Sequence, residues 1–362
     1  MVRLTRAQQQ ARTRASVLAA ARQEFTEQGY ALANVDRIAE RAELTRGAVY
    51  SNFPSKRALY LAVLVEAAEQ AGAALPPATA PPGSEAEALG AFARTWLERL
   101  PLAGDTAAGG RLHLRSLVGV VEDEHSRTVL AQVAQVEALL LAIGLESVEP
   151  DAPRLVRPAE LALTLLAGSG FLAELAPGFG DPFDQALACE HLAGLDLGDT
   201  WDPPYLDFVA PAVPCQEAWT PPEGLADLIT GEPADLGADG VVTVLGGHRA
   251  SAAEEAVRSA NPGEQVTVVV VPGDPAETGA LVRLRIGDLA GCLRRVFPAA
   301  AWDGLRLVID DGTVAAAAGL TDAGHETEAA LRVKDGTVVA RATGRGAGFA
   351  AARHPESWRA TS

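Results

Sequence analysis

Along this chain the spacing of apolar residues changes period once, near Leu197. Before that point Val17, Leu18, Ala21 and Phe25, and then Val35, Ile38, Ala39 and Ala42, recur at the three- and four-residue intervals of helices. After it come short β-branched runs, "GVVTVLG" at 240–246 and "QVTVVVVPG" at 265–273, each ended by Gly or Pro. Segregated helices and strands do not share one simple layer pattern. With 362 residues the chain is also long for a single ordinary domain. The expectation is a multidomain protein: an all-α head over 1–70, a helical body over 71–198 and an α/β domain over 199–362.

Hydrophobic residues make up 48% and charged residues 21%, a globular balance. No uninterrupted apolar run approaches the ~20 residues of a spanning helix, so no membrane partner is expected. The start "MVRLTRAQQQ" has no apolar stretch behind its basic residues, which argues against a secretory signal and for a cytoplasmic protein. Cys189, Cys215 and Cys292 are odd in number and far apart, so neither a disulfide framework nor a metal site is expected. The net charge of -17 conceals a reversal. Residues 1–60 hold ten Arg or Lys against five acids, a local +5, and the remainder carries -22. A basic end on an acidic body is the pattern of a nucleic-acid-binding head.

The head contains a longer helix over 13–28 that Gly29 is placed to end, then two short ones. Asn34 and Thr45 are good N-caps, and Leu44 and Val49 are spaced as a hydrophobic staple. Pro54 ends the second short helix near Asn52, and a further helix follows toward Glu69. Two short helices joined by about three residues make a helix-turn-helix, whose second helix enters the major groove. That explains the crowding of "LTRGAVYSNFPSKRAL". Arg46 can fork onto guanine or phosphate, Thr45 and Ser51 can bond either, and Tyr50 and Asn52 offer polar tips. Gly47 lets the backbone approach, and Lys56 combines a cation with a helix start. The candidate DNA-contacting residues are Asn34, Thr45, Arg46, Gly47, Tyr50, Ser51, Asn52 and Lys56, on a double-stranded DNA partner.

The stretch "NVDRIAERAELTRGAVYSNFPSKRALYLAV" resembles the tetracycline-repressor (TetR) family of bacterial transcription regulators. The likeness runs from Ala11 to about Val65, with Ile38, Ala39, Gly47, Tyr50, Phe53, Lys56 and Leu59 in the family's pattern. It implies a three-helix DNA-binding head, a helical effector-binding and dimerisation body, and a homodimer on a palindromic operator. Such regulators are most often repressors and are not enzymes, and Thr45, Arg46, Gly47, Tyr50 and Lys56 take the operator contacts. Three positions depart from the pattern. Glu43 stands where the turn usually has Gly, Arg57 where an acid usually follows the Lys, and Ala58 denies Ser55 a capping-box partner.

A Pro- and Ala-rich connection over 74–88 leads to helical patterns at 85–100, 111–122, 126–143, 158–174 and 182–195. "AELALTLLAGSGFLAEL" is apolar nearly all round, as suits a helix buried in the core or against a second subunit. In the resembled family the last two helices of the body form the dimer interface. Arg111, His113, Arg115, His125 and Trp96 could line a pocket. By analogy alone it would take a small hydrophobic effector, and no cofactor is expected.

Beyond 198 the order β-α-β-α-β followed by a hairpin about Lys334-Asp335-Gly336 resembles a thioredoxin or peroxiredoxin fold over about 225–349. A redox enzyme would hold a nucleophilic Cys after the first strand, where the helix start lowers its pKa. Here that position reads "GGHRAS", and no Pro precedes the hairpin where a cis-proline is expected. Cys292 reads as a small buried apolar residue. The domain is expected to be catalytically empty, with no catalytic residue assigned, and His248 and Arg249 stand at the mouth of the vacated site. The alternative is a thiol-dependent oxidoreductase, peroxidase or redox sensor working through this domain.

Overall fold

The computed structural model describes residues 5–73, 78–102, 104–149 and 151–354. Part of the expected 74–88 connection therefore lies outside the described residues. Helix α1 (Arg6–Leu32) opens with a capping box in which Thr5 and Gln8 bond each other's backbone N–H. Gly29 kinks it with φ 71°. Helix α2 (Val35–Arg41) is capped by Asn34, whose side chain accepts from the Asp36 N–H at 2.8 Å. Helix α3 (Arg46–Asn52) is capped by Thr45, which accepts from the Ala48 N–H at 3.2 Å. Ser55 caps α4 (Lys56–Ala73) through the Ala58 N–H, without needing an acid at the third position.

Phe25, Tyr30 and Tyr60 pack ring against ring between α1 and α4, with centroids 4.9 Å (Phe25–Tyr60) and 5.0 Å (Tyr30–Tyr60) apart. Val17, Ile38, Val49 and Leu59 fill the same core. In the body, α5 (Glu85–Leu97), α6 (Ala107–His113), α7 (Glu124–Glu146), α8 (Val156–Leu175) and α9 (Pro182–Leu192) follow. The pattern at 111–122 predicts a longer helix than α6. The chain leaves the helix because Arg115 adopts left-handed backbone, φ 55°. By length and composition α7 and α8 could each cross a membrane, but α7 is threaded through the core by Val129, Val133, Leu140 and Leu141.

The last part of the chain forms a six-stranded sheet. Its strands are β1 (Val213–Ala218), β2 (Gly240–Gly246), β3 (Gln265–Val271), β4 (Leu305–Ile309), β5 (Glu328–Lys334) and β6 (Thr337–Thr343), in the order β1-β6-β5-β2-β3-β4. β2, β3 and β4 run parallel, and β5 and β6 form an antiparallel hairpin. Asp335 (φ 48°) and Gly336 (φ 69°) make its turn, as the Asp-Gly pair predicts. β1 had no counterpart in the sequence reading. Around the sheet lie α10 (Ala253–Ser259), α11 (Thr278–Val296), α12 (Thr313–Ala317) and α13 (Ala347–Ala352).

One continuous core joins all of this. The buried apolar cluster that begins at Val17 in the head runs through the body to Ala352 in α13. Helix α11 is the bridge. It packs along α4, α5 and α7, its Leu281 and Leu289 share the apolar cluster with Val268 and Leu307 of the sheet, and α4 and α11 cross closely where Gly72 faces Gly291. A separate apolar cluster around Trp219, Val244, Val269 and Val314 covers the opposite face of the sheet.

Candidate functional site

The short helix α3 is anchored on one side and open to solvent on the other. Val49 is its buried anchor, while Thr45, Arg46, Gly47 and Ser51 are exposed and Tyr50 and Asn52 are half-buried. Pro54 and the Phe53 cap end the helix in extended backbone, and Phe53 is then buried beneath Arg14, whose guanidinium lies 4.2 Å from the ring centroid. Arg14 also donates to the Asn52 carbonyl at 3.2 Å, so α1 braces the end of α3.

The polar tips divide into two groups. Arg46 is open to solvent, pairs with Asp36 at 3.1 Å and reaches over the Tyr50 ring at 5.5 Å. The Tyr50 side chain and then Asp36 push its pKa upward, so its charge is fixed. Asn34 is exposed and serves as the cap of α2. Ser51 and Asn52 donate to the Ala48 carbonyl of their own helix, at 2.8 and 2.9 Å. Lys56 turns the other way. Its ammonium donates to the Ala31 and Ala33 carbonyls, both at 3.2 Å, and lies 4.7 Å from the Tyr30 ring centroid, which fastens the end of α1 to α4. Burial lowers its pKa. Glu43 holds the turn with φ 55°, the left-handed conformation for which Gly is the usual residue.

A second cluster forms where the body meets the sheet. His125 in the first turn of α7, His248 after β2 and His325 before β5 converge at the carboxyl ends of β2 and β3. His125 and His248 are 2.7 Å apart (Nδ1 to Nε2), and His248 Nδ1 is 2.7 Å from Glu326 Oε1. His125 Nε2 bonds the Thr278 hydroxyl at 3.1 Å. His325 Nδ1 is buried without a hydrogen-bond partner, and burial, followed by the charges of His125 and His248, lowers the pKa of that ring. No group of three His, Cys, Asp or Glu among the described residues is arranged to hold a metal ion. Sequence reasoning singled out His248 and grouped His125 with a different pocket. It missed His325, Glu326 and Thr278, which no local pattern marks.

The five candidate pocket residues of the body do not line one common cavity. His113 and Arg115 line a cavity of about 430 Å³ between α1, α4, α5, α6 and α11, and Trp96 lines a neighbouring one of about 180 Å³. Arg111 is instead paired with Glu174 at 2.7 Å. Arg249, which follows His248 in the chain, is bonded to Glu328. Burial pushes the thiols of Cys189 and Cys292 up to about 11, and that of Cys215 also upward. None has the depressed pKa of a reactive thiolate.

A capped two-helix turn with an exposed, cation-bearing second helix defines a helix-turn-helix DNA-binding protein. Residues 17–63, which include α2, the turn and α3, match the family of bacterial regulatory proteins described as the tetR family. Over those residues the chain is similar to that family, which supports a DNA-binding regulator of transcription. No curated protein matches the chain. Matching solved structures include one described as a TetR-family transcriptional regulator from Mesorhizobium loti. It is 17% identical, the match covers 53% of this chain and 96% of that one, and the TM-score is 0.28.

Proposed function

We propose that the protein is a ligand-responsive repressor that acts in the cytoplasm and binds a palindromic operator as a homodimer, each α3 in a major groove. The observation that carries this reading is the exposure of Thr45, Arg46, Gly47 and Ser51 together at the start and outer face of α3. Phosphate and base contacts come from such side chains, and the N-terminal residues of a recognition helix are the ones that meet base edges. Thr45, Arg46, Gly47, Tyr50 and Ser51 are the groups assigned to the operator, with Asn34 and Asn52 flanking them. Lys56 offers its remaining N–H and its charge to a phosphate while it holds α1.

The dimer reading is supported by α8 and α9. Their apolar side chains Leu161, Phe171, Leu172, Leu175, Phe183 and Leu187 are 40–81% exposed, and exposed apolar surface of this kind marks interaction sites. Gly168 on the same helix meets no neighbour, leaving room for a second backbone. The strand order β6-β5-β2-β3, with two parallel strands, an antiparallel hairpin and helices α10, α11 and α13, supports a thioredoxin-like reading of the C-terminal part. With no thiol activated, this domain acts as a non-enzymatic support.

The test is titration of a labelled fragment of the gene's own upstream region, against random DNA of equal length, over a salt series. Specific binding that weakens steeply with salt is expected, because each neutralised phosphate releases counterions. Equal affinity for both DNAs at every salt concentration would sink the reading.

A further inference from the structure

Among the charged groups around the two body cavities, one set does not balance. Arg99, Arg115 and Asp288 form a wall common to both. Asp288 accepts from Arg99 Nη1 and lies 3.0 Å from Arg115 Nε, and the three side chains are only 9–13% exposed. Their neighbours are matched. Arg295 forks onto Glu98 at 2.5 and 3.0 Å, Arg285 pairs with Glu137 at 2.6 Å, Arg111 with Glu174 at 2.7 Å, and Arg22 bonds Glu66 at 3.3 Å. Two guanidiniums thus share one carboxylate, and a positive charge is left over in a largely buried wall.

Leaving a buried charge without a counter-ion is unfavourable, and the shortfall is met when an anion arrives. The two arginines are also held ready for one. Arg99 is stacked on Trp96, its guanidinium carbon 3.4 Å from the ring centroid. Arg115 is fixed by its left-handed backbone, by a 2.9 Å bond to the His113 carbonyl and by the Asp288 carboxylate beside its Nε. Burial lowers the pKa of Arg115 more than Asp288 raises it. Around this polar end the larger cavity is lined by Ala67, Ala68, Ala71 and Leu112.

We propose that Arg99 and Arg115 anchor the effector and that the effector is a small organic carboxylate with an apolar body, in place of the wholly hydrophobic molecule expected from analogy. The proposal rests on the reading of the helical body as the ligand-binding unit. A carboxylate suits a guanidinium because the two planar groups can form paired hydrogen bonds. Because α11 supplies Asp288, Cys292 and Arg295 to the cavity, such a ligand also touches the C-terminal part of the chain.

The experiment uses the full-length protein with benzoate, 4-phenylbutanoate and octanoate, each beside its neutral amide, read by thermal shift and titration calorimetry. At least one carboxylate is expected to raise the melting temperature while its amide does not. R115M and R99M should each weaken that binding about ten- to a hundred-fold, as expected for loss of a charged hydrogen bond. R94M, which removes an arginine paired with Glu190 away from both cavities, should leave it unchanged. D288N, which removes the competing carboxylate and keeps its shape, should tighten binding. It decides the matter if R115M does not fold. Carboxylates no better than their amides, binding that survives R115M and R99M, or D288N binding no tighter would overturn the assignment. A neutral compound that fills the cavity and releases operator DNA would overturn it while sparing the effector-pocket reading. A carboxylate that needs Arg115 yet leaves operator affinity unchanged would support the anchor and remove the effector reading.

Discussion

Replacing Arg46 by Ala separates a DNA-contacting role from a structural one, because the structure bounds both effects. Among the described residues the Arg46 guanidinium pairs with Asp36, at 3.1 Å, and lies over the Tyr50 ring, and the two charged side chains are 59% and 52% exposed. An exposed pair of this kind contributes about 0–1 kcal/mol, and Ala is at least as good a helix former as Arg. R46A should therefore cost the fold no more than about 1 kcal/mol. On the operator the same side chain is assigned a base edge or a phosphate. A forked contact to guanine is worth about 1–3 kcal/mol, or about 5- to 150-fold in affinity per head, and its loss relaxes preference at that base pair. A phosphate contact would instead lower the salt slope by about 0.9 per head. The assay is fluorescence anisotropy with the upstream fragment over a salt series, beside melting by circular dichroism. D36A is the companion variant, since it frees Arg46 and should leave binding equal or tighter. Unchanged affinity and salt slope in R46A, with a clearly lowered melting temperature, would show Arg46 to be a structural tie and would refute the assignment.

Phe183 and Phe171 are 81% and 53% exposed, so F183E and F171E should leave the monomer folded. On an interface that meets its own copy they place like charges together, and sedimentation should show the monomer mass with weakened operator binding. E43G removes a side chain from left-handed backbone and should raise the melting temperature, by up to about 1–2 kcal/mol of stability, while removing an acid from the DNA side. His325 is faced by His125, His248, Glu326 and Asp274, and its folded pKa is lowered. The unfolded chain therefore binds the proton more readily, and the protein should lose stability as pH falls below the ordinary histidine value of 6.5. H325Q should flatten that dependence between neutral and mildly acidic buffer, and parallel melting curves for the two proteins would count against it. Replacing Cys189, Cys215 and Cys292 together by Ser should leave operator binding equal in oxidant and reductant. A response to oxidant in the native protein that is lost in the triple variant would restore the thiol-based alternative.

What the sequence made legible is what local chemistry dictates. Asn34 and Thr45 announce the starts of α2 and α3, Pro54 announces the end of α3, and Asp335-Gly336 announces a hairpin, because each acts on backbone within a few residues of itself. β1 escaped because an edge strand reading "VPCQEA" has a Pro, no apolar alternation and little burial, and it exists only through pairing with β6. The early end of α6 escaped because nothing about the Arg115 side chain advertises a positive φ. The functional clusters escaped for a different reason. His125 and His248 are 123 positions apart, and Arg99 and Asp288 are 189 apart, so no period or spacing can join them. The cavity was expected from analogy to be hydrophobic, and its arginine wall depends on α11, an element that the resemblance does not contain.

Arg57 shows how the added domain accounts for a departure in the head. Three helices begin close together: α4 behind Ser55, α7 behind its cap Asp123, and α11 behind Glu277. Helix starts carry partial positive charge, so their meeting is favourable only with acids among them. Asp123 supplies one, its carboxyl held well below the usual range by the Ser126 backbone N–H and by Arg57. Glu277 supplies the other and bonds the Ser55 hydroxyl. Arg57 lies between the two acids, 2.6 Å from Asp123 and 3.3 Å from Glu277. The acid that the family pattern usually has at this position would face two like charges here, one of them brought by α11 from beyond the head and body. The cation therefore neutralises both acids where α4, α7 and α11 meet. The same junction lies next to the recognition segment in the chain, because α4 starts directly after Pro54 and the end of α3.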